Sequence, residues 1–262
     1  MPEILEIEYY RQLAEGALHR EIASVEVDEL AGKGLLPGIE PSVVLPGLSF
    51  TAARRRGKLL LLDTEGPTFG MRFGMTGGLL LDGLAGIDRL QYGPGNYENK
   101  WIRTSVIFAD GGALLLHDPR RLGRVSIDPD EEVLGPDALS LTLGQLTRAL
   151  NSRVAGGGPP LKARLLDQTK IAGIGNLLAD EMLWRAAIDP NRPSASLTDA
   201  ERRRLHKHLR TTLDQLFERG GSHTGDHMVE RHPGGHCPRD GHAFFRATIG
   251  GRTTYWCPKH QG

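Results

Sequence analysis

The stretch Cys237-Pro-Arg-Asp240, followed by Cys257-Pro-Lys-His260, contains two pairs of metal-ligand residues, and two residues separate the members of each pair. Sixteen residues, 241–256, lie between the pairs. Short loops of this kind bring two side chains to one ion, and the intervening residues then form a β-hairpin. The pattern predicts a hairpin that binds one structural Zn²⁺ per chain through Cys237, Asp240, Cys257 and His260.

One position of this ligand set stays open, because structural zinc prefers sulfur and imidazole to carboxylate. Asp240 is the weakest ligand of the four, and His242 or His236 is close enough in sequence to replace it. Six of the ten histidines of the chain lie between residues 223 and 260. The segment 223–262 is poor in core-forming aliphatic residues, so we expect it to need a metal or a neighbouring domain to fold. The alternative is a hairpin with ordinary surface histidines.

Upstream of this segment, residues 136–222 have a helical pattern. Thr198 and Glu201 match a capping box, and leucines follow at helical spacing until Gly220-Gly221 ends the element. A glycine-containing turn, residues 171–175, leads into another helix. The predicted helix starts are Pro159-Pro160, Asn176 and Thr198.

Residues 1–135 begin with one amphipathic helix and continue as short strands and turns. Leu59–Leu62 is a buried strand, and Asp110-Gly111-Gly112 separates two apolar runs as a hairpin turn does. Several short strands indicate a β-sandwich or barrel. The predicted fold class is therefore α+β, with an N-terminal β-sandwich domain at 1–135, a helical domain at 136–222 and the zinc-hairpin region at 223–262.

The charge and composition of the chain limit its function less strongly than its motifs do. The 262 residues include 32 Lys and Arg and 32 Asp and Glu, so the formal net charge is zero. A neutral chain is less typical of a nucleic-acid-binding protein, although phosphates respond to a local patch rather than to the total. The sequence contains neither an apolar run long enough to span a bilayer nor a signal-peptide pattern. We therefore expect a cytoplasmic protein.

Three local motifs could contact nucleic acid. The run Arg54-Arg55-Arg56-Gly57-Lys58 precedes a buried strand, and its alternative role is a solvated edge. The turn Asp118-Pro119-Arg120-Arg121-Leu122 presents an arginine beside an apolar side chain, which on DNA can fill the gap left by an extruded base. Gly173-Ile174-Gly175-Asn176 opens a helix whose free N–H groups could bind phosphate. Taken alone, the last two are an ordinary loop and an ordinary helix corner.

Together these motifs resemble the bacterial formamidopyrimidine-DNA glycosylase and endonuclease VIII family. The resemblance runs in order along the whole chain and lies closer to the formamidopyrimidine-DNA glycosylase branch. It implies a helix-two-turn-helix DNA-binding domain at 136–222 and a zinc finger after it. The matching motifs are Met1-Pro2-Glu3-Ile4-Leu5-Glu6-Ile7-Glu8, Arg56-Gly57-Lys58, Phe73-Gly74-Met75-Thr76-Gly77, Asp118-Pro119-Arg120-Arg121, Leu134-Gly135-Pro136, Ala172-Gly173-Ile174-Gly175-Asn176, Gly250-Gly251-Arg252 and the terminal zinc motif.

The resemblance also implies a mechanism. Removal of Met1 exposes the secondary amine of Pro2, which attacks C1′ of the damaged nucleoside and forms a Schiff base. An α-amine has an ordinary pKa near ~8, and the start of a helix favours its neutral form. Glu3 transfers protons at the sugar oxygen, and elimination then cuts the strand. The catalytic residues implied are Pro2, Glu3, Glu6, Lys58 and Arg252.

The DNA contacts implied by the family fall into three groups. Lys58, Asn176 and Arg252 match a phosphate grip around the extruded nucleotide. Met75, Arg120 and Leu122 match the side chains that fill the vacated stack. Lys162 matches a lysine near the lesion pocket, and residues 220–233 match a mobile loop that covers the base.

The chain departs from the family pattern at several positions. Leu5 stands where proline is usual, and Arg72 stands where histidine often precedes the Phe-Gly-Met segment. Leu122 replaces a filler that is typically aromatic. The 222–237 region is shorter than in many relatives, which leaves the preferred lesion open. Asp240 and His260 replace two cysteines of a four-cysteine finger.

Three functions remain as hypotheses. The first is a bifunctional glycosylase and lyase for oxidised purines such as 8-oxoguanine and formamidopyrimidines, because its stack-filling residues come from two separate loops. The second is an endonuclease VIII-like enzyme for oxidised pyrimidines. The third is a zinc-containing damage-binding protein without catalysis. In each case the partner is damaged double-stranded DNA, and no membrane is involved. One active site per chain requires no second subunit, so we expect a monomer.

Overall fold

The computed structural model describes residues 2–28, 39–87, 90–91, 93–151 and 157–262. Its internal contacts divide the chain into two compact units, residues 1–132 and 133–262. Residues 223–262, which the sequence separates as a third region, belong to the second unit. No helix in the described part of the chain combines the length and the apolar character needed to cross a membrane.

The first unit contains two α-helices and nine strands within its described residues. The helices are α1 (Ile4–Ala14) and α2 (Pro41–Val44). The strands are β1 (Ile22–Val27), β2 (Ala52–Arg56), β3 (Leu59–Asp63), β4 (Phe69–Arg72), β5 (Gly78–Leu81), β6 (Leu84–Ala85), β7 (Ile102–Phe108), β8 (Ala113–His117) and β9 (Arg124–Ile127). The buried strand expected at Leu59–Leu62 and the hairpin expected at Asp110-Gly111-Gly112 are confirmed, as β3 and as the turn between β7 and β8.

These strands form two antiparallel sheets. One has the order β1-β7-β8-β5-β6, and the other has the order β2-β3-β4-β9. Leu60 and Leu62 of β3 project into one apolar core with Val106 of β7 and Leu116 of β8, so the two sheets pack face to face. Leu59 and Leu61, on the opposite face of β3, are buried as well. The expected β-sandwich with an amino-terminal helix is the architecture of this unit.

The second unit is mainly helical and ends in a hairpin. Thr198 and Glu201 form the predicted capping box at the start of the longest helix. Asn176 is the first residue of its helix, as expected, and Pro160 is the N-cap of the helix before it. The elements are α3 (Leu143–Leu150), α4 (Leu161–Leu166), α5 (Asn176–Arg185), α6 (Asp199–Glu218), β10 (Phe245–Ile249) and β11 (Arg252–Trp256).

Candidate active site

The start of α1 is a buried, hydrogen-bonded corner. Glu3 is the N-cap residue and forms a capping box with Glu6, in which the Glu3 N–H donates to Glu6 Oε2 at 2.7 Å. Pro2, Glu3 and Glu6 are all buried. A capping box satisfies N–H groups that the first turn of a helix leaves without partners. This corner therefore holds the backbone that follows Pro2 in a single position, whereas Met1 lies outside the described residues.

Pro2 lines a cavity of about 270 Å³ in the first unit. Lys58, at the turn between β2 and β3, lies on the same cavity, as does the half-exposed Leu122. A concave site with a few convergent polar groups is what a small ligand group needs. The structure thus brings together two predicted catalytic residues, Pro2 and Lys58, and one predicted DNA contact. The complete lining is Pro2, Ile7, Lys58, Arg72, Phe73, Gly74, Leu122 and Arg124.

The basic run before β3 divides into two parts. Arg54 forms ion pairs with Asp63 and Glu131, at 2.6 and 2.7 Å. Arg55 pairs with Glu8 of α1 at 3.1 Å. Arg54 and Arg55 therefore neutralise acidic neighbours within their own unit, whereas Lys58 lies on the cavity.

Asp118 organises the turn that carries Arg120 and Leu122. Its fully buried carboxylate accepts hydrogen bonds from the backbone N–H groups of Arg120 and Leu122, at 3.1 and 2.7 Å. It also accepts a hydrogen bond of 2.5 Å from the hydroxyl of Thr76, the residue after Met75. A Cβ added to Gly74 would lie 2.6 Å from the carbonyl carbon of Leu122, so the two loops are in contact. The three predicted stack-filling residues therefore belong to one connected structure.

In the second unit, Asn176 faces the hairpin. Its Nδ2 donates to the carbonyl oxygen of Thr253 at 3.2 Å, and Thr253 directly follows the exposed Arg252. Asn176 opens α5, where N–H groups and the helix dipole favour an anion. The structure thus brings Asn176 close to the backbone beside Arg252, and these are two of the three predicted phosphate contacts.

Lys162 has a different environment from the one that its family position suggests. Its side chain is 0% exposed and its Nζ lies 2.6 Å from Asp180 Oδ1. The ammonium also donates to Thr254 Oγ1 at 2.7 Å. A lysine held in this way contacts protein groups within the unit, and its predicted contact with DNA stays a prediction.

Residues 222–236, which include most of the expected base-covering loop, are anchored to α5. The buried carboxylate of Glu181 accepts from the backbone N–H groups of Asp226 and His227, both at 3.0 Å. Arg231 pairs with Asp180 at 2.9 Å through a side chain that is 6% exposed. These contacts tie two points of the segment to α5.

The predicted metal ligands come together in part. Cys237, Asp240 and Cys257 each place one ligand atom within 4.8 Å of the others, which makes a group that could hold a metal ion. His260 does not belong to this group. Its Nε2 lies 2.9 Å from the carbonyl oxygen of Trp184. Cysteine sulfur and a carboxylate oxygen are accepted zinc ligands, so the donor set fits such an ion.

The comparisons with known proteins agree with this architecture. A family model described as the formamidopyrimidine-DNA glycosylase N-terminal domain matches residues 1–125, and one described as the H2TH domain of the same glycosylase matches residues 134–227. Formamidopyrimidine-DNA glycosylase of Geobacter metallireducens is 32% identical over 100% of both chains. The chain belongs to the formamidopyrimidine-DNA glycosylase family. The resemblance inferred from the sequence motifs is thereby confirmed.

Other members of the family are similar to this chain in sequence and in fold. A formamidopyrimidine-DNA glycosylase of Thermus thermophilus is 35% identical over 79% of this chain and 80% of its own. The crystal structure of the Fpg protein from the same species matches with a TM-score of 0.77 at 30% identity, covering 100% of this chain and 99% of the other. A complex of Lactococcus lactis Fpg with DNA that contains an abasic site matches with a TM-score of 0.79 at 24% identity, over 99% of each chain. The expected α+β fold with an H2TH domain is confirmed.

Several residues of the site could not be identified from the sequence. Asp118 was part of a motif, but its bond to Thr76 joins residues that are 42 positions apart. Arg124 lines the Pro2 cavity from the start of β9, and no local pattern indicated this. Asp180 and Arg231 lie on different elements, and only the folded chain shows that they pair.

Proposed function

We propose that this chain is a bifunctional DNA glycosylase and AP lyase of base excision repair that uses the amine of Pro2 as its nucleophile. The observation that carries the proposal is the position of Pro2 on a cavity shared with Lys58, at the capped start of α1. The positive end of a helix and a neighbouring ammonium both favour the neutral form of an amine. A neutral amine is the form that can attack carbon.

The chemistry follows from the groups at this corner. The Pro2 nitrogen bonds to C1′ of the damaged nucleoside as the bond from C1′ to the base breaks, and opening of the sugar ring gives an iminium ion. Loss of a C2′ proton then expels the 3′ phosphate. Glu3 transfers protons at the sugar oxygen, and Glu6 holds the Glu3 backbone through the 2.7 Å hydrogen bond. Lys58, Asn176 and Arg252 bind the phosphates that flank the extruded nucleotide.

Borohydride trapping on a lesion-containing duplex tests the nucleophile. A chain whose Met1 has been removed, as verified by intact mass, is expected to form a covalent adduct that maps to Pro2. A chain that retains an amino-terminal extension is expected to bind the same duplex and to form no adduct. An adduct on the extended chain, or none on the processed chain, would contradict the proposal. Binding without any adduct or cleavage would favour a non-catalytic damage-binding protein.

We infer oxidised purines, such as 8-oxoguanine and formamidopyrimidines, as the substrate class. The inference is supported by the two loops that carry Met75, Arg120 and Leu122, which Asp118 connects. Oxidised pyrimidines are the second candidate, favoured by the anchored 222–236 segment, which leaves less chain to cover a large base. Single-turnover excision rates on matched 8-oxoguanine and thymine glycol duplexes separate these two classes.

We also propose that the hairpin binds one structural Zn²⁺ through Cys237, Asp240 and Cys257. His260 is proposed as the fourth ligand through Nδ1, because its Nε2 contacts a backbone carbonyl, as the non-ligating nitrogen of a metal-bound histidine commonly does. The ion would supply the cross-link that a segment with so little apolar surface needs for folding. We also propose a cytoplasmic location, because the DNA on which such a repair enzyme acts lies there in bacteria such as Geobacter metallireducens.

A further inference from the structure

A buried charge network connects three segments of the second unit. Asp180 of α5 forms ion pairs with Lys162 of α4, at 2.6 Å, and with Arg231 of the 222–236 segment, at 2.9 Å. The side chains of Lys162, Asp180 and Arg231 are 0%, 1% and 6% exposed. Charges buried to this extent are stable only when their partners are held in place. The network therefore fixes α4, α5 and the 222–236 segment relative to one another.

The same network holds the start of β11. The carbonyl oxygen of Thr253 accepts from Arg231 Nη2 at 2.9 Å and from Lys162 Nζ at 3.3 Å. Asn176 donates to this oxygen as well, at 3.2 Å. A backbone carbonyl has two lone pairs, so three donors around one oxygen leave it little freedom to move. The residue directly before this carbonyl is Arg252.

The turn of the hairpin is fixed by a steric contact on the other side of Arg252. Gly250 has a φ of +59°, and a Cβ added there would lie 2.9 Å from Cα of Ala163 in α4. Ala163 follows Lys162 in the sequence. Helix α4 therefore contacts the hairpin twice, once at the turn through Ala163 and once at the start of β11 through Lys162. Arg252 lies between the two contacts, and its own side chain is exposed.

We propose that Lys162, Asp180 and Arg231 are positioning residues that set the Arg252 backbone beside Asn176, so that both side chains meet one segment of DNA phosphate. Lys162 acts through the hairpin rather than by touching the damaged base. This inference rests on the proposed function, because it assigns a purpose to the phosphate contacts of Arg252 and Asn176. It adds two residues, Asp180 and Arg231, that no sequence motif indicated.

Neutralising Asp180 separates two explanations. A positioning role predicts weaker binding to DNA, whereas simple electrostatics predicts stronger binding. Removal of an acidic side chain from a DNA-binding protein normally strengthens binding, since it reduces repulsion of phosphates. If Asp180 positions Arg252, D180N weakens binding to a duplex with a tetrahydrofuran abasic analogue by about tenfold. The slope of log affinity against log salt concentration is also expected to become shallower by about 0.9, the value of one lost phosphate contact.

Asp214 on α6 provides the matched control. It is an exposed aspartate of the same unit, so D214N makes the same change in charge without touching the network. We expect D214N to keep or slightly improve affinity and to leave the salt slope unchanged. Equal behaviour of D180N and D214N would overturn the inference.

A double-mutant cycle with Arg252→Ala separates positioning from general damage to the fold. If Asp180 acts through the phosphate contact of Arg252, that contact is already absent in R252A. Adding D180N is then expected to reduce the affinity little further. Additive losses would mean that Asp180 supports binding by another route, which overturns the inference. Calorimetric unfolding of each variant confirms that the second unit is folded in the binding assay.

Lys162→Met is a second variant, chosen because it leaves the Asp180–Arg231 pair balanced and keeps the apolar length of the side chain. We expect it to weaken binding to the abasic analogue, again without adding to R252A. A lysine that contacted the damaged base would have no effect on a duplex that lacks the base, so an unchanged affinity would overturn the inference. Borohydride trapping by the wild-type chain is measured in parallel, so that failure of the proposed chemistry is distinguishable from failure of the positioning network.

Discussion

The hydroxyl of Thr76 donates a 2.5 Å hydrogen bond to Oδ1 of Asp118, and this bond joins the turn after β4 to the turn after β8. Met75 precedes Thr76, whereas Arg120 and Leu122 follow Asp118. The carboxylate is 0% exposed and accepts two backbone N–H groups on its second oxygen. One buried side chain thus positions all three residues that are proposed to fill the gap left in the DNA by the extruded base.

Asp118→Asn is expected to reduce recognition of damage more than general affinity for DNA. The amide NH₂ replaces an oxygen that accepts hydrogen bonds, so donors in the loop lose their acceptor and face another donor, at a cost of about 1–3 kcal/mol. The measurement is the ratio of affinities for an abasic-analogue duplex and for its undamaged counterpart, and we expect this ratio to fall at least about tenfold. Asp130→Asn is the control, because Asp130 accepts a backbone N–H in an exposed turn of the same unit. An unchanged ratio in D118N would contradict the role of the loop.

Leu122→Ala tests the apolar filler. The side chain is 42% exposed, so its loss is expected to change the free energy of unfolding by less than about 0.5 kcal/mol. We expect slower single-turnover excision from a fully paired duplex and a smaller effect when the lesion is mispaired, because extrusion of a mispaired base costs less. Leu122→Phe restores a larger filler and is expected to match or exceed the wild-type rate. Equal slowing on paired and mispaired duplexes would argue against a role in base extrusion.

The sequence predicted those features that depend on neighbours along the chain. Helix starts at Asn176 and Thr198 follow from glycine turns and a capping box, and β3 follows from a short leucine run. The expected grouping of Pro2 with Lys58 came from the family resemblance, and the cavity between them agrees with it.

The sequence could not predict contacts that depend on tertiary packing. Nothing near Lys162 indicates that its ammonium lies 2.6 Å from Asp180, or that Arg231 shares the same carboxylate. The basic run before β3 did not reveal which of its members pair with acids, because Glu8 and Glu131 are far from it in sequence. In each case the fold, and not the local sequence, brings the partners together.

The proposed zinc site predicts distinct metal contents for three variants. The purified chain is expected to contain about one Zn²⁺, as measured by plasma mass spectrometry. Asp240→Ala and His260→Ala are each expected to lower this content and to make the remaining metal easier to remove with a chelator. His242→Ala, at the alternative ligand position, is expected to retain the wild-type content. Loss of zinc in H242A with retention in D240A would reassign the ligand to His242.

His227 predicts how the stability of the second unit depends on pH. Burial lowers the pKa of His227 to about 4, against the opposing effect of Asp180, while Arg231 and Lys162 lower it further. The ring packs against Phe244 with centroids 4.9 Å apart and lies close to Trp184, and a contact with the Tyr255 backbone favours the charged form. An unfolded histidine has a pKa near ~6.5, so the unfolded chain binds the proton first as the pH falls.

The contribution of neutral His227 is therefore complete above about pH 6.5 and is lost as the pH falls toward 4. Linkage gives a loss on the order of 2 to 3 kcal/mol between pH 8 and pH 4.5. In His227→Leu, which keeps an apolar side chain of similar volume, this part of the pH dependence is expected to disappear, whereas other titrating groups contribute equally to both proteins. The measurement is urea unfolding followed by tryptophan fluorescence at several pH values, with the difference between wild type and variant plotted against pH. A difference that stays constant from pH 8 to 4.5 would show that His227 does not resist protonation in the folded protein.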